Sequence, residues 1–294
     1  MQYDEAARIA FWVEYMERSY ALSMAIIAHP LAECSEGFAS IPAAMADARA
    51  EVLFSDTRLA GQYERLFYIR ASLIPPLVAI ARKMNARGWV LKIEDAYRTR
   101  AMQTALGRAP AVFDRIVQTC VRECGGQRPP VELVYRRAMC LVANVPLTGT
   151  HLAGAAVDIS VLRRDDGREI WRGKPYLEMS EYTPMDSPFI SAEERENRVA
   201  ITEVMEQHNF LHYPGEFWHY NSQDSLYQIQ VGLGQPGRYG PVDWDARTNT
   251  VTPFADPTAL LTPYDLLEQL IEDSMKRVDV GLTVKPTNAK RAKR

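Results

Sequence analysis

Two short stretches in the middle of the chain break the helical spacing of the apolar residues around them. In Trp89-Val-Leu-Lys-Ile93, the residues Trp89, Leu91 and Ile93 alternate with smaller or polar neighbours, and Ala155 to Leu162 forms a second strand-like run. Alternation with a period of two places one set of side chains on each face of a strand, which a helix cannot do. On either side the pattern changes. Ile9, Trp12, Val13 and Met16 fall at i, i+3, i+4 and i+7, one face of a helix, and the region from about residue 4 to 80 reads as helical. Short strands grouped in the middle with helices before and after them predict an α+β fold, a small antiparallel sheet flanked by helices.

Local signals place the other elements. Thr99 can cap a helix running towards Cys120, with Gly107 and Pro110 as points of interruption. Ser191 and Glu194 form a capping box ahead of Ile201, Val204, Met205 and His208. Phe210 to Asn221 reads as a hairpin or bent strand broken at Pro214-Gly215, and Thr262-Pro263 opens a last helix through Val278. A basic tail follows, from Lys285 to Arg294.

Composition removes several classes of function. The 294 residues are 47% hydrophobic, enough for a substantial core, and 34 basic residues against 37 acidic ones leave a net charge of −3. So small a charge gives no general attraction to nucleic acid or to an anionic membrane. Cys34, Cys120, Cys124 and Cys140 are too few and too scattered for a disulfide framework. The acidic start Met-Gln-Tyr-Asp-Glu does not read as a secretory leader, and the apolar run Tyr20 to Ala28 is too short to span a bilayer, so a cytoplasmic location is expected. Gly232-Leu-Gly234-Gln-Pro-Gly237 has dinucleotide-loop spacing, but Pro236 works against the helix such a loop must open.

Chemistry concentrates in two segments, Gly149-Thr-His-Leu-Ala-Gly-Ala-Ala-Val-Asp158 and Glu216-Phe-Trp-His219. Two of the chain's five histidines fall here, beside an aspartate and a glutamate. Converging, His151, Asp158 and His219 supply two nitrogens and one oxygen to a divalent ion and leave a fourth tetrahedral position open, the arrangement of catalytic zinc. Glu216 then stands close enough to exchange a proton with water. Taken singly, each residue has a plainer reading: a hydrogen-bonded core histidine, a turn aspartate, a solvated glutamate. Strict alternation puts Glu216 and His219 on opposite faces of a strand, so a bulge, a turn or a helical turn must re-aim one of them.

These segments resemble the signature of the zinc-dependent D-alanyl-D-alanine dipeptidases, the VanX-type M15 peptidases. That signature is Ser-x-His-x-x-Gly-x-Ala-x-Asp followed by Glu-x-Trp-His. The first element matches here except that Gly149 replaces the serine, and the second matches in full. Asp95-Ala-Tyr97-Arg98, Asn197-Arg198 through Met205, and Asn209-Phe210 extend the likeness over roughly residues 85 to 225. The resemblance implies one zinc ion per chain held by His151, Asp158 and His219, Glu216 as general base and acid, and Arg98 as the cation facing the tetrahedral oxyanion. It implies hydrolysis of a small D-amino-acid peptide, D-Ala-D-Ala above all, with Thr150 and Glu178 as candidate substrate contacts. It divides the chain into a helical extension over residues 1–80, a zinc peptidase core over 81–235 and a C-terminal extension over 236–294. Two alternatives remain open at this point: a carboxypeptidase or endopeptidase acting on peptidoglycan stems, and a non-catalytic zinc module on the same scaffold.

Overall fold

The structure is a computed structural model that describes residues 4–279. Helix α1 (Glu5–Ala28) starts at Asp4, whose carboxylate accepts the amide of Ala7, and ends at His29 because Pro30 cannot continue it. Its buried stripe runs Trp12, Tyr15, Met16, Ser19, Ser23 and Ile26. Next come β1 (Phe38–Ser40), α2 (Ile41–Asp47), β2 (Val52–Phe54), β3 (Tyr68–Arg70), α3 (Ile74–Ala86) and β4 (Trp89–Asp95). The helical reading of residues 4–80 is therefore corrected between α1 and α3. Strands of three residues are too short to leave a period of two in the sequence.

Thr99 caps α4 (Arg100–Arg108), and the helix breaks at Ala109 so that Pro110 can open α5 (Pro110–Glu123). Then follow α6 (Val131–Val142), β5 (Ala156–Arg163) and α7 (Ala192–Glu206), the last opened by the full Ser191–Glu194 capping box. The chain continues through β6 (Leu211–His212), β7 (His219–Asn221), α8 (Ser225–Val231), β8 (Val242–Asp245), β9 (Thr250–Pro253) and α9 (Tyr264–Asp279). Residues 232–237 form a loop after α8 rather than opening a helix. The basic tail lies outside the described residues. Among those described, no helix is long and apolar enough to cross a membrane.

The central sheet has the order β2-β4-β5-β7-β6. It is antiparallel except where β2 joins β4 in parallel, so the first 80 residues contribute an edge strand to it. On one face Leu91, Ile93, Val157, Ile159, Val161 and Tyr220 pack with residues of α3 and α7 in the main core. A second core joins α5, α6 and α9 through Phe113, Val117, Val134, Leu267 and Ile271. Burying Leu267 and Ile271 is worth about 1.5–3 kcal/mol each, which fixes the last helix to the body of the protein.

Register decides what the other face of the sheet displays. Asp158 lies opposite His219 on β7 and opposite Asp95 on β4. The β4–β5 ladder shifts between Ile93 and Asp95, and this irregularity brings Asp95 level with Asp158 in place of Glu94. Residues directly opposite in an antiparallel pair share a face, so Asp95, Asp158 and His219 form one row across the sheet.

Candidate active site

Asp158 is the centre of this row. Its Oδ1 lies 3.1 Å from His151 Nε2 and 2.9 Å from His219 Nδ1. One ligand atom from each of the three residues can be chosen so that all lie within 4.8 Å of one another, and all three residues are buried. His151 comes from the loop between α6 and β5. That loop folds back on itself through Gly154 N to His151 O at 3.1 Å and Ala155 N to Thr150 O at 3.2 Å. Gly154 has φ +65°, and a Cβ there would overlap the Phe38 ring, so only glycine meets both demands. The buried Arg70 guanidinium donates from Nε to Ala153 O at 2.7 Å and clamps the loop from outside.

Each histidine is oriented by its second nitrogen. His151 Nδ1 donates to the Ala96 carbonyl at 2.6 Å, which turns Nε2 towards Asp158. His219 Nε2 lies 2.7 Å from Thr150 Oγ1, which turns Nδ1 towards Asp158. Two imidazole nitrogens and one carboxylate oxygen, with the outer ring nitrogens bonded to protein oxygens, are a donor set that fits a divalent zinc ion with an open position.

The turn Tyr213 to His219 re-aims Glu216. Glu216 N donates to Tyr213 O and His219 N donates to Glu216 O, two successive turns in place of an extended run. Glu216 Oε2 consequently lies 4.0 Å from His219 Nδ1, with 20% of the side chain exposed. Burial pushes the Glu216 carboxyl up to about 7 despite the lowering effect of His219, and Asp158 adds to the rise. Burial also pushes Asp158 up, but His151 and hydrogen bonds from both histidines overcome it and hold Asp158 well below the usual carboxylate range.

Arg98 is buried beside the row. Its Nε donates to Asp95 Oδ2 at 2.7 Å, Nη2 to Asp158 Oδ2 at 3.2 Å and Nη1 to Gln103 Oε1 at 3.2 Å. Burial opposes its charge, but Asp95 and Asp158 keep it protonated. Arg100, two residues on, is instead 46% exposed and sits over the Phe254 ring.

Arg98, Thr150, His151, Asp158, Glu178, Glu216 and His219 all line one cavity of about 720 Å³. The structure thus brings every sequence-nominated site residue to one place. Glu178 is paired with Arg115 at 3.2 Å, and the Thr150 hydroxyl is engaged with His219. Sequence reasoning did not find Tyr176, whose hydroxyl donates to Asp158 Oδ2 at 2.8 Å, or Gln103, which braces Arg98. Tyr176 sits in an irregular stretch with no periodicity to mark it, whereas Gln103 follows the Thr99 cap on the buried face of α4.

An aspartate and a histidine on a mixed sheet, a second histidine on the adjoining loop, a glutamate and a buried arginine at one cavity make the kind of side-chain set that a mononuclear metallohydrolase uses. The family comparison makes it specific. Residues 56–232 match the M15 peptidase family described as D-ala-D-ala dipeptidase, and the chain belongs to that family. It is 30% identical over 94 residues to a D-alanyl-D-alanine dipeptidase of Enterococcus faecium, covering 32% of this chain and 46% of the relative. It is 28% identical over 168 residues to a D-alanyl-D-alanine dipeptidase of Synechocystis sp. (strain ATCC 27184 / PCC 6803 / Kazusa), covering 50% of this chain and 65% of the relative. The match therefore spans less than two thirds of either relative. Among solved structures, a mutant of the vancomycin resistance D,D-pentapeptidase VanY from a VanB-type resistance cassette, in complex with Zn(II), aligns at 19% identity. That alignment has a TM-score of 0.33 over 62% of this chain and 93% of that one.

Proposed function

We propose that this protein is a zinc-dependent peptidase that hydrolyses a short D-amino-acid peptide of the D-Ala-D-Ala type. The observation that carries the reading is the convergence of His151, Asp158 and His219 at a cavity shared with Glu216. His151 Nε2, Asp158 Oδ1 and His219 Nδ1 would hold one zinc ion. Bound there, zinc supplies Lewis-acid polarisation of the scissile carbonyl and activation of water. Glu216, on the cavity wall, takes the proton from the attacking water at its carboxylate and returns it to the leaving amine. Arg98, pinned by Asp95 and Gln103, keeps a fixed positive charge beside the carbonyl oxygen as negative charge develops on it. Because its donors are held before substrate arrives, little reorganisation is needed during the reaction.

A non-catalytic zinc module has no use for a carboxylate held 4.0 Å from a metal-ligating ring and open to the cavity. A cytoplasmic location belongs to the same reading, since the four cysteines are unpaired thiols, the state a reducing compartment maintains.

Metal analysis and dipeptide hydrolysis test the proposal together. One zinc per chain is expected, with D,D-dipeptidase activity that is lost on chelation and restored by zinc. Glu216→Gln is expected to keep the zinc and lose about a hundredfold or more in turnover. A zinc-loaded protein inactive on D,D-dipeptides, or a fully active Glu216→Gln variant, would refute it.

A further inference from the structure

The cavity is larger than the smallest D,D-dipeptide requires. At about 720 Å³ it belongs among sites that enclose drug-sized ligands, roughly 300–1,000 Å³. D-Ala-D-Ala has eleven non-hydrogen atoms, and even at the roughly 30 Å³ that a water molecule occupies in the liquid for each of them, it fills less than half of that space.

The lining indicates what fills the rest. Ile26 of α1, Leu106 of α4, Val112 of α5, Met139 and Val142 of α6, and Met179 of the loop after β5 all face the cavity. Val112 and Met179 pack against the cluster containing Val142, and Val112 also packs against the cluster containing Leu106, so these side chains form a continuous apolar wall. Several polar groups on the lining are already committed within the protein. The Ser23 hydroxyl donates to Ser19 O and that of Thr148 to Val145 O. Gln103 bonds Arg98 and the Val142 carbonyl, and both oxygens of Asp114 are taken by Arg277. The Arg115–Glu178 pair, whose arginine is 42% exposed, marks the solvent side.

A longer peptide would bring further backbone amides against this wall. Each amide left unpaired there carries a desolvation penalty that the wall does not offset. An apolar side chain carries no such penalty and gains by leaving water.

We infer that the substrate is a short peptide in which one residue beside the scissile bond carries a bulky apolar side chain, of leucine or phenylalanine size, seated on the wall formed by Leu106, Val112, Val142 and Met179. This rests on the peptidase reading above and narrows its substrate.

The zinc-loaded full-length protein is assayed on D-Ala-D-Ala, D-Ala-D-Leu, D-Ala-D-Phe, D-Leu-D-Ala, D-Phe-D-Ala and a D-Ala-D-Ala-terminated pentapeptide. At least one bulky dipeptide is expected to exceed D-Ala-D-Ala about tenfold or more in kcat/KM, the scale of discrimination a hydrophobic pocket provides. Val112→Trp, which fills the wall, is expected to lower that ratio about tenfold. Should this variant fail to fold, the wild-type panel still decides. Equal or faster hydrolysis of D-Ala-D-Ala, or preference for the pentapeptide, overturns the inference and leaves the peptidase reading standing. No hydrolysis of any peptide overturns the peptidase reading and the inference together.

Discussion

Thr150 occupies an unusual position, next to His151 in sequence and 2.7 Å from the ring of His219 in space. Its hydroxyl couples the two candidate ligand segments, because the loop that presents one histidine also holds the ring of the other in place. Thr150→Val keeps the shape and removes the partner. The expected result is a 10–100-fold loss of zinc affinity, read by chelator competition, with the fold retained. Gly154 constrains the same loop from the backbone side. Gly154→Ala forces a side chain into a left-handed conformation against Phe38 and is expected to cost about 1–3 kcal/mol of stability, measured by urea denaturation. His151, Asp158, Glu216 and His219 were legible in the sequence because donor chemistry and motif order survive without coordinates. The bonds that aim them were not, because Ala96, Thr150 and Tyr176 reach these side chains across turns whose geometry the sequence does not state.

Helix α1 and the loop lining the cavity are joined at Glu181, which is 1% exposed. This carboxylate meets Arg8 of α1 and Arg122 of α5, the latter at 2.9 Å. A second clamp joins Arg137 of α6 to Glu123 of α5 and, at 3.0 Å, to Glu17 of α1. These pairs fasten α1 over the cavity, where Ile26 forms part of the wall. Removing the shared carboxylate in Glu181→Ala leaves two arginines without it. A loss of about 1.5–3 kcal/mol is expected from urea unfolding, the range for hydrogen bonds to charged groups. The helices themselves were readable from spacing and caps, as the Thr99 and Ser191 ends illustrate. Strands β1, β2 and β3 were not, since three residues exist as a strand only because a neighbour supplies the ladder.

For the molecule as a unit, the proposed metal binding would be linked to folding. The three candidate ligands come from β5, β7 and the loop before β5, and the unfolded chain does not hold them together. Zinc at about a hundredfold above its dissociation constant should add about 2.7 kcal/mol to the unfolding free energy. A thermal melt with zinc and with chelator should differ by several degrees, and Asp158→Asn should abolish the difference. A melt indifferent to zinc in the wild-type protein would mean that the three side chains do not share an ion.

The chain's own order of residues established an α+β protein with a histidine–aspartate–histidine set and a nearby glutamate, because periodicity, caps and donor chemistry are local properties. The folded arrangement decided three further matters. The β4–β5 irregularity and the β5–β7 register put Asp95, Asp158 and His219 in one row. The turn after Tyr213 brought Glu216 round to the side of His219 and Asp158. Helices α1, α4, α5 and α6 together enclosed a cavity with an apolar wall. Each depends on contacts between segments distant in sequence, and their relative placement is fixed only when the sheet pairs and the helices close over it.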